Sequence, residues 1–314
     1  MNWLINSWYK PAILPWVLWP LSVVYCLLIR LRKILYQLGI FTQHQLPVPV
    51  IIVGNITVGG TGKTPFVIWL AQQLKQAGHR PGIISRGYGG KAPHYPYHVS
   101  SESSANFAGD EPIIIHRHSQ CPMVVAPDRV AAAQQLLQQN DCTVIIADDG
   151  LQHLALSRDI EIIIVDAQRQ FANKKCLPSG PLREPLSRLE QSDFIVYNGD
   201  INAGKHSMQL NQGHAINLAD PTIIRAINTF KAQTIHAIAG IGNPDRFFDQ
   251  LLNQGLNIIR HPFNDHYPFT AQDLDFNEQH AAILMTEKDA VKCQDFAQKN
   301  MWYIPIQATI SGTL

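Results

Sequence analysis

The sequence predicts an α/β protein built on a mostly parallel sheet flanked by helices, with a second, smaller α/β unit and an apolar helix at the N-terminus. Three observations predict it. After residue 41, short apolar runs alternate with helix-like stretches and Gly/Pro turns, the pattern of βαβ units. The buried-strand run 48–55 breaks into a glycine cluster that opens directly into a helical stretch, 64–76. Before residue 41 the composition is different: from 11 to 29 no residue is charged.

The chain has 314 residues, twice a common domain length. Hydrophobic residues make up 46% and charged residues only 16%, under the roughly 25% of an ordinary soluble domain, so some surface is expected to face something other than water. The net charge of +1 provides no field to hold nucleic acid. The five cysteines form no CxxC pair, which fits a reducing compartment, and no histidine has zinc-ligand spacing with them.

The N-terminal run is close to the ~20 residues that cross a hydrocarbon core, and it ends on Arg30, Arg32 and Lys33. Pro11, Pro15 and Pro20 interrupt it, and Trp3, Trp8, Trp16, Trp19 and Tyr25 are spread along it instead of gathered at two ends. A helix lying in a membrane interface fits best; a spanning helix and a core helix are the alternatives. The segment 1–40 is read as membrane-associated, 41–200 as a nucleotide-binding domain, 201–220 as a linker or hairpin and 221–314 as the smaller domain. Strands are expected at 82–85, 123–126, 144–149, 160–166 and 194–198, then at 234–239, 282–285 and 302–306.

The turn Thr57-Val58-Gly59-Gly60-Thr61-Gly62-Lys63-Thr64 has the order a phosphate-binding loop needs, which makes the first domain P-loop NTPase-like. Backbone N–H groups at the turn and helix start face phosphates, Lys63 supplies a point charge, and the Thr64 hydroxyl can ligate Mg²⁺. Thr57 stands where the strict motif has glycine. Such a site also needs a carboxylate at the end of a neighbouring strand, and the run 144–150 ends in two, Asp148 and Asp149, either of which can serve the metal. Arg86, Arg129 and Arg183 are candidates to neutralise phosphate oxygens. Arg183 and Glu184, framed by Pro181 and Pro185, read as a positioned loop beside the nucleotide.

The ordered blocks TVGGTGKTP (57–65), SRGYGG (85–90), GDEP (109–112), DDGLQH (148–153), GPLREP (180–185), AIAGIGNPDRFF (237–248), DHYPF (265–269) and TEKDAVK (286–292) span nearly the whole chain. Together they resemble the tetraacyldisaccharide 4'-kinase family, the lipid A 4'-kinases of Gram-negative bacteria. The resemblance implies transfer of the γ-phosphate of ATP, with Mg²⁺, to the 4'-hydroxyl of a tetraacylated glucosamine disaccharide 1-phosphate, forming lipid IVA at the cytoplasmic face of the inner membrane. Thr57 belongs to that family's own loop. The resemblance also implies an Asp–His pair that handles the acceptor's proton, on the positions matching Asp110 and His266. A multiply acylated lipid leaves a bilayer only at ~0.8 kcal/mol per CH₂, so the enzyme must go to it, which gives the apolar N-terminus a purpose. In TEKD, Thr286 is readable as a helix cap with Asp289 as its reciprocal acid, a structural role. The competing reading is a membrane-attached P-loop ATPase or GTPase that switches a protein partner and has no use for Asp110 and His266.

Overall fold

A computed structural model describes residues 2–10, 12–199, 206–276 and 281–311. Helices α1 (Asn2–Tyr9), α2 (Leu14–Val17) and α3 (Trp19–Gln37) come first. Prolines sit at the starts of α2 and α3, where a missing N–H is tolerated. On these helices and the turn before α2, Ile13, Trp16, Val17, Trp19, Leu21, Val24, Leu27, Leu28 and Leu31 are exposed. No helix among the described residues is long and apolar enough to cross a membrane.

The larger sheet is built on β1 (Val50–Gly54), β2 (Pro81–Ser85), β3 (Tyr97–Val99), β4 (Met123–Val125), β5 (Val144–Asp148), β6 (Ile160–Asp166), β7 (Phe194–Asn198), β8 (His206–Gln212) and β15 (Ile306–Ser311). Its order is β15-β8-β7-β6-β1-β5-β2-β4-β3, parallel from β8 to β4 with an antiparallel strand at each edge. Strands β1, β2 and β5 are fully buried, as expected of runs such as Val-Ile-Ile-Val covered on both faces. One apolar layer packs Phe66, Val67 and Leu70 of α4 (Lys63–Gln76) and Ile113–Ile115 of α6 (Asp110–Ser119), which follows the short α5 (Ala105–Ala108), against one face; Val130, Ala133 and Leu136 of α7 (Arg129–Gln139) cover the other.

The second sheet, β10-β9-β14-β13-β11-β12, has a parallel core of β11 (Thr234–Ala239), β12 (Asn257–Pro262), β13 (Ala282–Thr286) and β14 (Met301–Ile304), edged by β9 (Ala215–Asn217) and β10 (Ile224–Arg225). Helices α8 (Pro244–Asn253) and α9 (Glu287–Ala290) accompany it.

The strands expected from apolar runs fall within a residue or two of those observed. The stretch read as linker or hairpin contains β8 and β9, and β15 leaves the second sheet to pair antiparallel with β8. The chain therefore passes from the first sheet to the second and back. β8, His-Ser-Met-Gln-Leu-Asn-Gln, is polar and largely half-exposed, and its antiparallel partner lies about a hundred positions away, so no local pattern marks either strand.

Candidate active site

The phosphate loop follows β1 at the carboxyl end of the parallel strands, where ligands of open α/β sheets bind. The first N–H groups of α4 have no intrahelical acceptor and face the turn. Gly62 caps that helix at φ 94°, and a Cβ there would stand 2.7 Å from Asn198 Nδ2 and 2.9 Å from Met208 Cε, so both backbone angle and space require glycine. Asn198, at the end of β7, donates from Nδ2 to the Thr61 carbonyl at 3.0 Å and fixes the turn from the side.

Thr57 is bridged antiparallel to Leu182: the Val58 N–H donates to the Pro181 carbonyl at 2.8 Å, and the Arg183 N–H donates to the Ile56 carbonyl at 2.6 Å. The first loop position is thus strand-like, a conformation threonine favours, and needs no glycine. The same bridge commits the Val58 N–H to the protein, so the phosphate-facing part of the loop starts after it.

Lys63 donates from Nζ to Asn55 Oδ1 at 3.1 Å and lies 3.4 Å from Asp149 Oδ1. Asp149, in the left-handed region at φ 49°, is also held by Arg183 Nη1 at 3.1 and 3.2 Å. Burial would raise its pKa, but the Lys63 and Arg183 charges outweigh it and hold the carboxyl below its usual range. Asp148 is the opposite case. It is 1% exposed, its Oδ2 accepts from Ser85 Oγ at 3.0 Å, and its Oδ1 is buried without a partner. Burial foremost, then the Glu111 and Asp149 charges, push it up to about 7.

An unsatisfied carboxylate oxygen that two neighbouring anions destabilise is a place where a hard cation would lower the energy. With the Thr64 hydroxyl and phosphate oxygens, one or two carboxylates make the donor set Mg²⁺ ordinarily uses, so these residues fit that ion.

Asp110 opens α6, and two glycine loops put it there. Gly90 of the SRGYGG turn lies so close to the chain before α6 that a Cβ would stand 2.4 Å from the Phe107 carbonyl and 2.7 Å from the Gly109 nitrogen. Asp110 is 5% exposed; Oδ1 accepts its neighbour's Glu111 N–H at 2.9 Å and Oδ2 is 3.0 Å from His266 Nδ1. His266 comes from the second unit, at φ 57°, a left-handed conformation uncommon outside glycine and of the kind found at functional sites. Its ring packs on Tyr88 at 5.1 Å, and Nε2 is 3.8 Å from Asp265 Oδ1. The Asp110 hydrogen bond raises the imidazole pKa, against burial, which would lower it. For Asp110, burial would raise the pKa, but the His266 hydrogen bond and the Lys288 charge bring it below its usual value.

The pair lies beside the phosphate loop. A Cβ built on Gly242 of the second unit would be 3.4 Å from Asp265 Oδ2 and 3.9 Å from the Gly60 nitrogen. Helix α9 fastens the same junction: Lys288 is paired to Glu111, and Glu287 Oε1 is 2.7 Å from His118 Nε2. Thr286 caps α9 by accepting from the Asp289 N–H at 3.3 Å, while Asp289 Oδ2 accepts from the Thr286 hydroxyl at 2.6 Å and from the Gly240 N–H at 3.0 Å. The acid of the cap thus ties the cap hydroxyl to the neighbouring strand end.

Glu184, expected beside the nucleotide, is instead buried among protein partners: Gln152 Nε2 at 2.8 Å and Arg188 Nε at 3.1 Å occupy both its oxygens. Arg129 is likewise turned inward, donating to the Ala126, Pro127 and Asp149 carbonyls, and Arg86 is exposed. Asn55 and Asn198 join the site without any motif to mark them, and Ser85 joins it as the unassigned first residue of the SRGYGG block. Their shared sequence signal is position, each standing at the end of a strand in the parallel sheet.

A phosphate loop, paired acids at the end of the adjacent strand and an Asp–His pair joined across the two units beside the loop define a P-loop kinase. The profile of the tetraacyldisaccharide-1-P 4'-kinase family matches residues 14–314. The tetraacyldisaccharide 4'-kinase of Nitrosococcus oceani is 50% identical over 310 residues, 99% of this chain and 91% of that one. That of Methylobacillus flagellatus is 49% identical over 315 residues, 100% and 93% of the two chains. The crystal structure of the "apo" form of LpxK from Aquifex aeolicus in complex with ATP superimposes with a TM-score of 0.80 at 31% identity, covering 95% of both chains. The chain belongs to the tetraacyldisaccharide 4'-kinase family.

Proposed function

We propose that this enzyme transfers the γ-phosphate of ATP to the 4'-hydroxyl of a tetraacylated glucosamine disaccharide 1-phosphate, at a membrane surface on the cytoplasmic side of the inner membrane. The observation that carries the mechanism is the Asp110–His266 pair, 3.0 Å apart and contributed by two units that meet at the phosphate loop.

The backbone N–H groups of Gly59–Lys63 and the Lys63 ammonium hold the β- and γ-phosphate oxygens, and Lys63 stabilises charge on the migrating group. Asp149 keeps Lys63 and Arg183 pointed at the same spot. Asp148 and Thr64 are the residues to hold Mg²⁺, which when bound would neutralise phosphate charge. Asp110 accepts the Nδ1–H of His266, which leaves a lone pair on Nε2. That nitrogen takes the proton of the attacking hydroxyl, and the buried Asp110 carboxylate stabilises the imidazolium that results. The exposed tryptophans and leucines of α2 and α3 lie on the membrane interface, with Arg30 and Arg32 near anionic headgroups, whereas the Lys33 ammonium is hydrogen-bonded to Gln191.

Acceptor-dependent ADP release tests this reading. Turnover should require both the lipid and the 4'-hydroxyl, and the product should carry one additional phosphate. ADP release indifferent to the lipid would replace the kinase reading with a switch ATPase.

A further inference from the structure

Ser22 is 4% exposed in the first turn of α3, where the neighbouring Leu21 and Val23 are 58% and 39% exposed. A single buried hydroxyl on an outward apolar helix needs an explanation. Its Oγ donates to the Cys176 carbonyl at 2.8 Å, and one turn on Tyr25 OH donates to the Arg183 carbonyl at 3.1 Å. Trp8 Nε1 donates to the Pro178 carbonyl at 3.1 Å, Ser179 Oγ donates to the Pro15 carbonyl, and Lys175 Nζ stands 3.5 Å over the Trp16 ring. The N-terminal helices therefore grip one stretch, 175–183, mainly through its backbone.

The far side of that stretch is the edge of the phosphate loop. Pro181 accepts the Val58 N–H, Leu182 bridges Thr57, and Arg183 donates its N–H to Ile56 and its guanidinium to Asp149. Arg183 is thus held at three points: carbonyl by α3, N–H by the strand before the loop, side chain by the acid that orients Lys63.

We propose that Ser22 and Tyr25 are positioning residues for phosphoryl transfer: α3 sets the 176–183 wall, and through it the entry of the phosphate loop and the Arg183–Asp149 pair. The apolar segment is then part of the catalytic framework in addition to being a membrane contact. This rests on the kinase reading above. A separable anchor has no use for these contacts, since any apolar helix on a tether would find a bilayer.

The test uses the full-length protein with Ser22→Ala and Tyr25→Phe combined, which removes two hydroxyls and leaves the outward apolar face unchanged. With lipid dispersed in detergent micelles, kcat should fall about 10-fold with KM for the lipid within twofold, because misplacement of a reacting group costs rate more than binding. Binding to phosphatidylethanolamine/phosphatidylglycerol vesicles should stay within twofold, and amide hydrogen exchange at Val58 and Arg183 should quicken. Ser22→Thr, which keeps the hydroxyl, should keep wild-type kcat. Wild-type kcat and amide protection in the double variant would overturn the proposal, as would a loss that tracks vesicle binding with amide protection unchanged. If the wild-type protein shows no lipid-dependent ADP release, the kinase reading fails instead, and the exchange at Val58 and Arg183 still decides whether α3 holds the wall.

Discussion

Replacing Asp110 by Asn removes one charge and almost no volume, and the hydrogen bonds around it dictate the outcome. Oδ1 of Asp110 accepts the Glu111 N–H at 2.9 Å while Oδ2 faces His266 Nδ1 at 3.0 Å, so the native residue must accept on both sides. An amide accepts on one side only. With its oxygen on the Glu111 N–H, its NH₂ faces Nδ1, which must then be the acceptor; the ring proton moves to Nε2, the atom that has to take the acceptor's proton. With the amide reversed, two donors confront each other beside Glu111 in a site that is 5% exposed. Loss of a positioned general base lowers kcat by about 10²–10⁴-fold, or about 2.7–5.4 kcal/mol of barrier. ATP affinity should stay within a few-fold, because Asp110 is not assigned to the nucleotide. The acid limb of kcat/KM supplies a second reading. The Asp110 hydrogen bond is the largest cause raising the His266 pKa; the variant removes it and the Asp110 charge and leaves burial, which lowers the pKa, as the largest remaining cause, with smaller opposed effects of the Asp265 and Lys288 charges. The limb should therefore lie above pH ~6.5 in wild type and move to lower pH in the variant. Stability carries the same signs. The raised His266 contributes fully below pH ~6.5 and loses that contribution as pH rises through its folded value; the depressed Asp110 contributes above pH ~3.9 and loses it as pH falls through its own. The melting difference between wild type and variant should thus be widest between those limits. ADP release from detergent-dispersed lipid at pH 5–9 decides: activity within threefold of wild type, or an acid limb that does not move, would refute the assignment of His266 Nε2 as base.

Lys63→Ala should lower kcat at least ~10²-fold by removing the charge at the migrating phosphoryl group, and near-wild-type turnover would remove the loop assignment. Asp148→Asn should raise the Mg²⁺ concentration needed for half-maximal rate at least ~10-fold while increasing the melting temperature of the nucleotide-free protein at pH 8, because it removes a buried carboxyl whose pKa of about 7 makes its ionisation costly in the fold; an unchanged Mg²⁺ titration contradicts the ligand assignment. Gly62→Ala, at φ 94° and 2.7 Å from Asn198, should cost ~1–3 kcal/mol of stability and weaken ATP binding in calorimetry, and a silent substitution would contradict the turn geometry. Replacing the exposed Trp16, Trp19 and Leu28 with Ser should abolish most vesicle binding in sedimentation; undiminished binding would move the membrane contact elsewhere.

The chemistry of the phosphate loop was legible in the sequence because that device is local. A strand, a glycine turn, Lys63 and a helix start are contiguous, and each residue type is demanded by its neighbours' backbone. The buried parallel strands were legible for the same reason, since a strand covered on both faces is written as an unbroken aliphatic run. Asp110 and His266 were named by the ordered motifs, but nothing within 109–112 or 265–269 contains their meeting; the packing of α9 against α6, which brings the loop after β12 to the start of α6, decides it. Glu184 marks the limit of motif reading. It stands next to Arg183 in one loop, yet the turn sends one side chain to Asp149 and the other into the Gln152–Arg188 pocket. β15 escaped because an edge strand that is largely exposed takes its order from a partner about a hundred positions away, and β8 because its polar, half-exposed run carries no strand pattern of its own. The N-terminal helices show both halves at once. Their apolarity and tryptophans were plain in composition, whereas the buried Ser22 and the Tyr25 hydroxyl take their meaning from a loop more than 150 positions away. Hydrogen bonds between segments so far apart depend on how the whole chain packs, and only the tertiary structure decides that.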